Sequence, residues 1–231
     1  MWRRRPVVCG GVWVDIENEG KPPNPTGGTK ASTTSHFVSA MVSAHAAYSS
    51  SWPCDHCVWE GPLTSIRESI ERAVGYLSEH PDEARYTDSV ARARLGESLR
   101  MDVDGPDGER IVTDMPRGVG GQGEHPTPGW LFRAAIASCV GATVAMEAAR
   151  EGIDLTSLDV EVDSESDDRG ILGMDPDANA GPSSLSIRIS ATAREVDPDR
   201  LRDIVATGAG RCPVCDATKR AVEVSVEIDA H

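Results

Sequence analysis

Aromatic residues make up only 4% of this 231-residue chain, and lysine occurs three times against twenty arginines. With so few rings, any core must be built of Ala, Val, Leu and Ile. At 39% apolar residues that core is adequate and not generous. Positive charge is short as well: 23 Lys and Arg face 37 Asp and Glu, a formal net charge of −14. That excludes a general nucleic-acid binder, because phosphate neutralisation needs a basic surface, and it disfavours docking on an anionic membrane. No apolar run approaches the ~20 residues that a membrane span needs. The length allows one large domain or two small ones.

A secretory leader is not expected either. Arg3, Arg4 and Arg5 precede a short apolar stretch from Val7 to Val14, but two glycines interrupt it and Asp15 ends it. It lacks a firm apolar region and a small-residue cleavage site. The expectation is therefore a cytoplasmic protein with reduced thiols. Its six cysteines, at 9, 54, 57, 139, 212 and 215, are then candidates for catalysis or metal binding rather than a disulfide scaffold.

What the chain has is unevenly placed. Residues 1–61 hold five basic and five acidic side chains, so the whole charge deficit lies from residue 62 onward. This first stretch shows no sustained period and reads as a poorly ordered extension, or as the product of a start codon set too far upstream. Residues 62–231 read as the folded domain. Ser65 followed by Glu68 is a capping box, with Ile66, Ile70, Ala73, Val74 and Leu77 at helical spacing up to about Glu79. Thr87 to Val103 is strand-like but irregular. Asp104-Gly105-Pro106-Asp107-Gly108 is a turn, and Arg110 to Asp114 pairs back as a hairpin. The loop Gly118 to Gly123 lacks the flanking elements of a dinucleotide fingerprint and the Lys-Ser/Thr ending of a P-loop.

Thr127 and Pro128 open a long Ala-rich helix that runs to Arg150, with Gly152 beyond it as C-cap. Apolar residues on more than one face predict a helix packed against others. Alternation over Leu158–Val162, Leu185–Ala191 and Val222–Ile228 predicts three strands, with a polar loop over 164–184. Asp197-Pro198 opens another helix, and Cys212-Pro213 a short one. Partial segregation of helices and strands predicts an α+β fold with a mostly antiparallel sheet.

Cys139 lies near the middle of the Ala-rich helix, where a cysteine is ordinarily a small buried hydrophobe. Cys212 is harder to dismiss: a thiol at the start of a helix sees backbone donors that favour thiolate. Cys215 makes that segment C-x-x-C, the arrangement of dithiol redox centres. A thioredoxin-like reading is weakened by its position near the C-terminus and outside a βαβ unit. Cys54 and Cys57 with Cys212 and Cys215 would make a four-thiolate zinc site, but the two pairs lie too far apart for a zinc ribbon, and no metal is expected. His125 reads as a loop histidine. Asp167, Asp168, Asp175 and Asp177 lack calcium-loop spacing and read as solvent-facing.

The run Pro126-Thr127-Pro128-Gly129-Trp130-Leu131-Phe132-Arg133-Ala134-Ala135-Ile136-Ala137-Ser138-Cys139, followed by Arg211-Cys212-Pro213-Val214, resembles the OsmC/Ohr family of thiol-dependent peroxidases. Asp114-Met115-Pro116 leading into the Gly-rich stretch also fits, and the resemblance covers roughly residues 63 to 229. It implies an α+β fold of mostly antiparallel sheets packed around a long central helix, in an intertwined homodimer. It implies that Cys139 attacks an organic hydroperoxide and that Cys212 resolves the resulting sulfenic acid, in an oxidative stress response. No cofactor is implied beyond an external dithiol reductant. The family sets an arginine from the N-terminal hairpin beside the attacking thiol. The candidates are Arg92, Arg94 and Arg100, with Arg100 preferred because it precedes the turn on the strand. The family holds that arginine with a glutamate in the first turn of the central helix. Here the turn reads Pro128-Gly129-Trp130 and has no carboxylate. This departure supports an alternative, a non-catalytic OsmC-like protein that binds a small apolar ligand or a partner at the dimer cleft.

Overall fold

The computed structural model describes residues 12–15 and 65–231. They fall into two compact units, residues 65–131 and residues 12–15 with 132–231. The first is a hairpin unit and the second holds the described cysteines.

In the hairpin unit, helix α1 (Ile66–Glu79) starts where the capping box predicts. The Ser65 hydroxyl accepts from the Glu68 N–H at 3.2 Å, and the Glu68 carboxylate accepts from the Ser65 N–H at 3.0 Å. Three strands follow as an antiparallel meander: β2 (Arg92–Leu95), β3 (Met101–Asp104) and β4 (Arg110–Thr113). A further strand, β1 (Val12–Asp15), lies earlier in the chain. The irregular segment predicted over 87–103 is in fact two strands, broken where Ser98 takes a φ of 56°. The predicted turn between β3 and β4 is present, with Gly108 at a φ of 92°, a conformation glycine adopts without steric cost.

The Gly-rich loop after β4 is organised by Asp114, which is only 1% exposed. Its carboxylate accepts from the backbone N–H groups of Met115 (2.7 Å), Gln122 (3.0 Å) and Glu124 (3.2 Å). A side chain at Gly121 would lie 1.9 Å from the Met115 carbonyl oxygen, so only glycine lets the loop fold back this far. The loop's donors are thus spent on an internal carboxylate.

Burial alone would raise the Asp114 pKa. The N–H donors of Glu124, Met115, Gln122 and Gly123 outweigh it and hold the carboxyl below its ordinary value. The stability contributed is full above the unfolded carboxyl value of ~3.9 and is lost as pH falls through the lower folded value. Asp114→Asn should therefore loosen the loop at neutral pH and remove this part of the acid sensitivity. Hydrogen exchange of the Gln122 and Glu124 amides at pH 7 and pH 3 checks this; wild-type protection in the variant at pH 7 would contradict it.

The long helix is α2 (Pro128–Arg150), which belongs to the second unit from Phe132 onward. The Thr127 hydroxyl accepts from the Trp130 N–H at 3.1 Å. At the other end Gly152 (φ 72°) lets the Ile153 N–H reach the Ala148 carbonyl at 2.8 Å, a Schellman closure. Next come β5 (Leu155–Glu165), the short α3 (Asp168–Ile171), β6 (Ser184–Ala193), α4 (Pro198–Gly210) and α5 (Pro213–Lys219). The strands form an antiparallel sheet in the order β1-β6-β5, where β1 is Val12–Asp15. Both α5 and α4 are capped by the residues the sequence marked, Cys212 and Asp197.

The core lies between the sheet and the helices. Ile136, Val140 and Val144 of α2, Ile189 and Ala191 of β6 and Val205 of α4 are fully buried. Each larger aliphatic side chain here contributes about 1.5–3 kcal/mol of burial. The opposite stripe of α2, at Ala135, Ser138, Ala142 and Met146, is exposed, so only part of the predicted all-round packing is present. By length and composition α2 is apolar enough to cross a membrane, with a mean hydropathy of 1.4 over its best window. This corrects the expectation that no segment comes close: Arg133 and Glu147 interrupt the apolar run without lowering its average below that mark.

Val222–Ile228, predicted as a strand, is not one. Val224 and Val226 are 80% and 77% exposed. β6 alternates in the same way and is paired on both sides, by β1 and β5, whereas 222–228 pair with no strand among the described residues. The predicted extension over 1–61 lies outside the described residues except at β1, as do Cys9, Cys54 and Cys57.

Candidate active site

The three described cysteines are free thiols and meet in one core cluster. Cys139 is half-buried on α2, and Cys212 and Cys215 are buried at the start of α5. Two sequence features bring them together. α2 turns its Ile136–Val140–Val144 face onto the sheet and α4, which sets Cys139 at the cluster's margin. α4 ends at Gly210, and Arg211 then turns the chain so that Cys212 begins α5. Cys212 is 0% exposed, and its Sγ accepts from the Cys215 N–H at 3.3 Å.

The Cys139 thiol has two polar neighbours, the backbone N–H of Val214 and the thiol of Cys212. Burial pushes its pKa up. The Val214 N–H opposes that by favouring thiolate, while the Cys212 thiol adds to the rise, and the net value lies above the ordinary one. In this arrangement Cys139 is held against the partner with which it can form a disulfide.

A contact that the sequence reading missed steadies Cys212. Glu147, on the buried face of α2 and 7% exposed, pairs with Arg211 and lies 4.0 Å from Arg150. Arg211 immediately precedes Cys212, so this ion pair ties the start of α5 to the helix that carries Cys139. A signal was present: Glu147 is the only carboxylate on the helix, in a stretch that is otherwise Ala, Val and Met from Val144 to Ala149.

Arg100 belongs to the hairpin unit, in the turn before β3, with its guanidinium 2.6 Å from the Asp102 carboxylate. Arg94 pairs with Asp104. His125 is partly buried in the loop before α2. Arg169 draws Asp167 and Asp175 together in the 164–184 loop as exposed ion pairs. No group of three or more His, Cys, Asp or Glu suited to a metal ion occurs among the described residues. An open depression of about 650 Å³ lies around Glu151, Asp154, Arg194, Glu195 and Arg200, and no cysteine lines it.

Residues 121–227 match the family model described as OsmC-like protein. The chain carries an OsmC-like domain. No curated protein matches the chain. Among solved structures, the OsmC-like protein from Mycoplasma pneumoniae is similar at 15% identity, with 59% of this chain and 91% of that one covered and a TM-score of 0.48. An organic hydroperoxide resistance protein from Elizabethkingia anophelis is similar at 19% identity over 60% and 93%, with a TM-score of 0.44. The organic hydroperoxide resistance protein OsmC from Legionella pneumophila is similar at 21% identity over 58% and 90%, with a TM-score of 0.41. The OsmC-like match spans α2 through the C-terminal segment and so includes all three clustered cysteines.

Proposed function

We propose that this protein reduces organic hydroperoxides through Cys139, with Cys212 as the resolving thiol. The observation that carries the reading is the contact between these two free thiols, drawn from separate helices into one apolar cluster inside the OsmC-like domain. The Cys139 thiolate attacks the O–O bond. One oxygen stays on sulfur as the sulfenic acid, and the other leaves as the alcohol once protonated. The Cys212 thiol then displaces water from that sulfur and forms the Cys139–Cys212 disulfide. An external dithiol reduces it by exchange. Phe132, Ile136 and Val140 beside the thiols suit an alkyl or aryl peroxide better than hydrogen peroxide.

On this reading a cation must offset the burial that raises the Cys139 pKa, and the family resemblance nominates Arg100. Arg100→Ala should then move the pH midpoint of Cys139 alkylation upward, slowing alkylation at pH 7 and leaving it unchanged once the thiol is fully ionised. Peptide-resolved iodoacetamide kinetics measure this. A profile identical to wild type removes Arg100 from the site.

A raised thiol pKa also favours the second reading, a non-catalytic OsmC-like protein that binds a small apolar ligand or a partner at a dimer cleft. Steady-state consumption of cumene hydroperoxide with dithiothreitol separates the two. Sustained turnover that stops in Cys139→Ser and slows in Cys212→Ser supports the peroxidase. Equal rates in both variants refute the roles, and no turnover in wild type favours the binder.

A further inference from the structure

Cys215 is a buried free thiol that the reaction above does not use. It sits one helical turn after Cys212, is 6% exposed, and belongs to the same cluster as Cys139 and Cys212. Its own N–H donates to the Cys212 sulfur at 3.3 Å. Cys212 is therefore the common neighbour: the Cys139 thiol contacts it, and so does residue 215. Residues three apart at a helix start have Cα atoms within the ~4.4–6.8 Å that a disulfide spans.

We propose that Cys215 completes a three-thiol relay which passes the disulfide off the peroxide-reacting cysteine. The inference rests on the roles proposed above for Cys139 and Cys212. The Cys215 thiol, as thiolate, attacks the Cys212 sulfur of the Cys139–Cys212 disulfide. A Cys212–Cys215 bond forms, the Cys139–Cys212 bond breaks, and its electron pair leaves on Cys139, which takes up the proton released by Cys215. No electrons enter or leave the protein in this step. Cys139 is returned to its reduced form and can meet a second peroxide, while the oxidising equivalent rests in the C-x-x-C disulfide until an external dithiol removes it. The arrangement also answers how two thiols can both neighbour Cys212: they bond it in sequence.

The tryptic peptides make the test direct. Cys139 falls in the peptide Ala134–Arg150, and both other thiols fall in Cys212–Lys219. Reduced full-length protein is treated with one equivalent of cumene hydroperoxide without reductant, quenched in acid, alkylated and digested without reduction. The proposal expects wild type to yield Cys212–Lys219 with an internal disulfide and Ala134–Arg150 in alkylated form. In Cys215→Ser the two peptides should remain joined, with at least about tenfold more of the linked species than in wild type. Cys215→Ala, which keeps the site apolar, should do the same. In Cys139→Ser, Cys212–Lys219 should stay reduced.

A wild-type product that stays linked through Cys139 and Cys212, with Cys215 alkylated, overturns the relay and leaves the peroxidase reading intact. Linkage of Cys139 to Cys9, Cys54 or Cys57 also overturns the relay. An internal disulfide that forms as fast in Cys139→Ser shows direct oxidation and overturns both. No oxidation of any of the three thiols in wild type overturns the peroxidase reading, and the relay with it.

Discussion

Replacement of Cys139 by serine should abolish peroxide consumption and leave the fold in place. The serine hydroxyl occupies nearly the same volume at a half-buried position, and its neighbours, the Val214 N–H and the Cys212 thiol, can accommodate an oxygen. A hydroxyl at neutral pH is neither ionised nor able to accept an oxygen atom as sulfur does. Loss of a reacting nucleophile removes roughly three or more orders of magnitude in turnover. Cys212→Ser should behave differently: the first oxidation still occurs, and the sulfenic acid on Cys139 then waits for an external thiol. Cumene hydroperoxide consumption by both variants, with thermal melts as a folding control, separates the roles. A Cys139→Ser protein that retains a tenth or more of the wild-type rate contradicts the assignment.

The second large effect is expected from Gly208→Ala. α4 crosses α2 at this glycine so closely that a β-carbon would lie 2.6 Å from the Val144 Cα and 2.9 Å from the Thr143 carbonyl oxygen. Both obstacles are backbone, so neither can swing aside. The helices must separate or the residue must strain. Overpacking of this kind costs about 1–3 kcal/mol, and contact with backbone sets it at the upper end. At ~2–4 °C per kcal/mol for a chain of this size, the melting temperature should fall by roughly 6–12 °C. There is a chemical consequence too. Gly208 lies one turn before Cys212, and Val144 lies little more than one turn after Cys139. Helices pushed apart here also part the two thiols, so disulfide formation after oxidation should slow. Calorimetry and the rate of Cys139 resolution test the two halves. An unchanged melting temperature would show that the crossing is looser than described.

Much of this was legible in the residues because it was local. The Ser65 capping box, the Thr127-Pro128 helix start, the Asp197 cap and the β3–β4 turn are each specified within a few positions, and each formed as read. The alternation of β5 and β6 was also plain, because one face of β6 is buried and one face of β5 is half-buried. What failed depended on partners. Val222–Ile228 alternates as cleanly as β6, yet it finds no pairing among the described residues. The irregular strand-like stretch read over 87–103 hid a break that a positive φ at Ser98 produces, a conformation uncommon enough in serine that composition did not place it. At the site, Cys139 and Cys212 were nominated by residue type and family resemblance. Their contact required the α2–α4 crossing at Gly208 and the Glu147–Arg211 pair, both set by tertiary packing. The acidity that excluded nucleic acid falls on exposed strand faces and on the 164–184 loop, as at Asp159, Glu161 and Asp163 of β5. Glu147, which holds Arg211 beside Cys212, is the exception.

The central claim is that Cys139 is the atom that meets the peroxide. It is tested most directly in the Cys212→Ser/Cys215→Ser double variant, where neither neighbouring thiol can hide the first product. The protein is treated with one equivalent of cumene hydroperoxide in the presence of dimedone and mapped by mass spectrometry. The account predicts a dimedone adduct on Cys139, with one cumyl alcohol formed for each chain labelled. An unmodified Cys139 in the presence of unconsumed peroxide would contradict it.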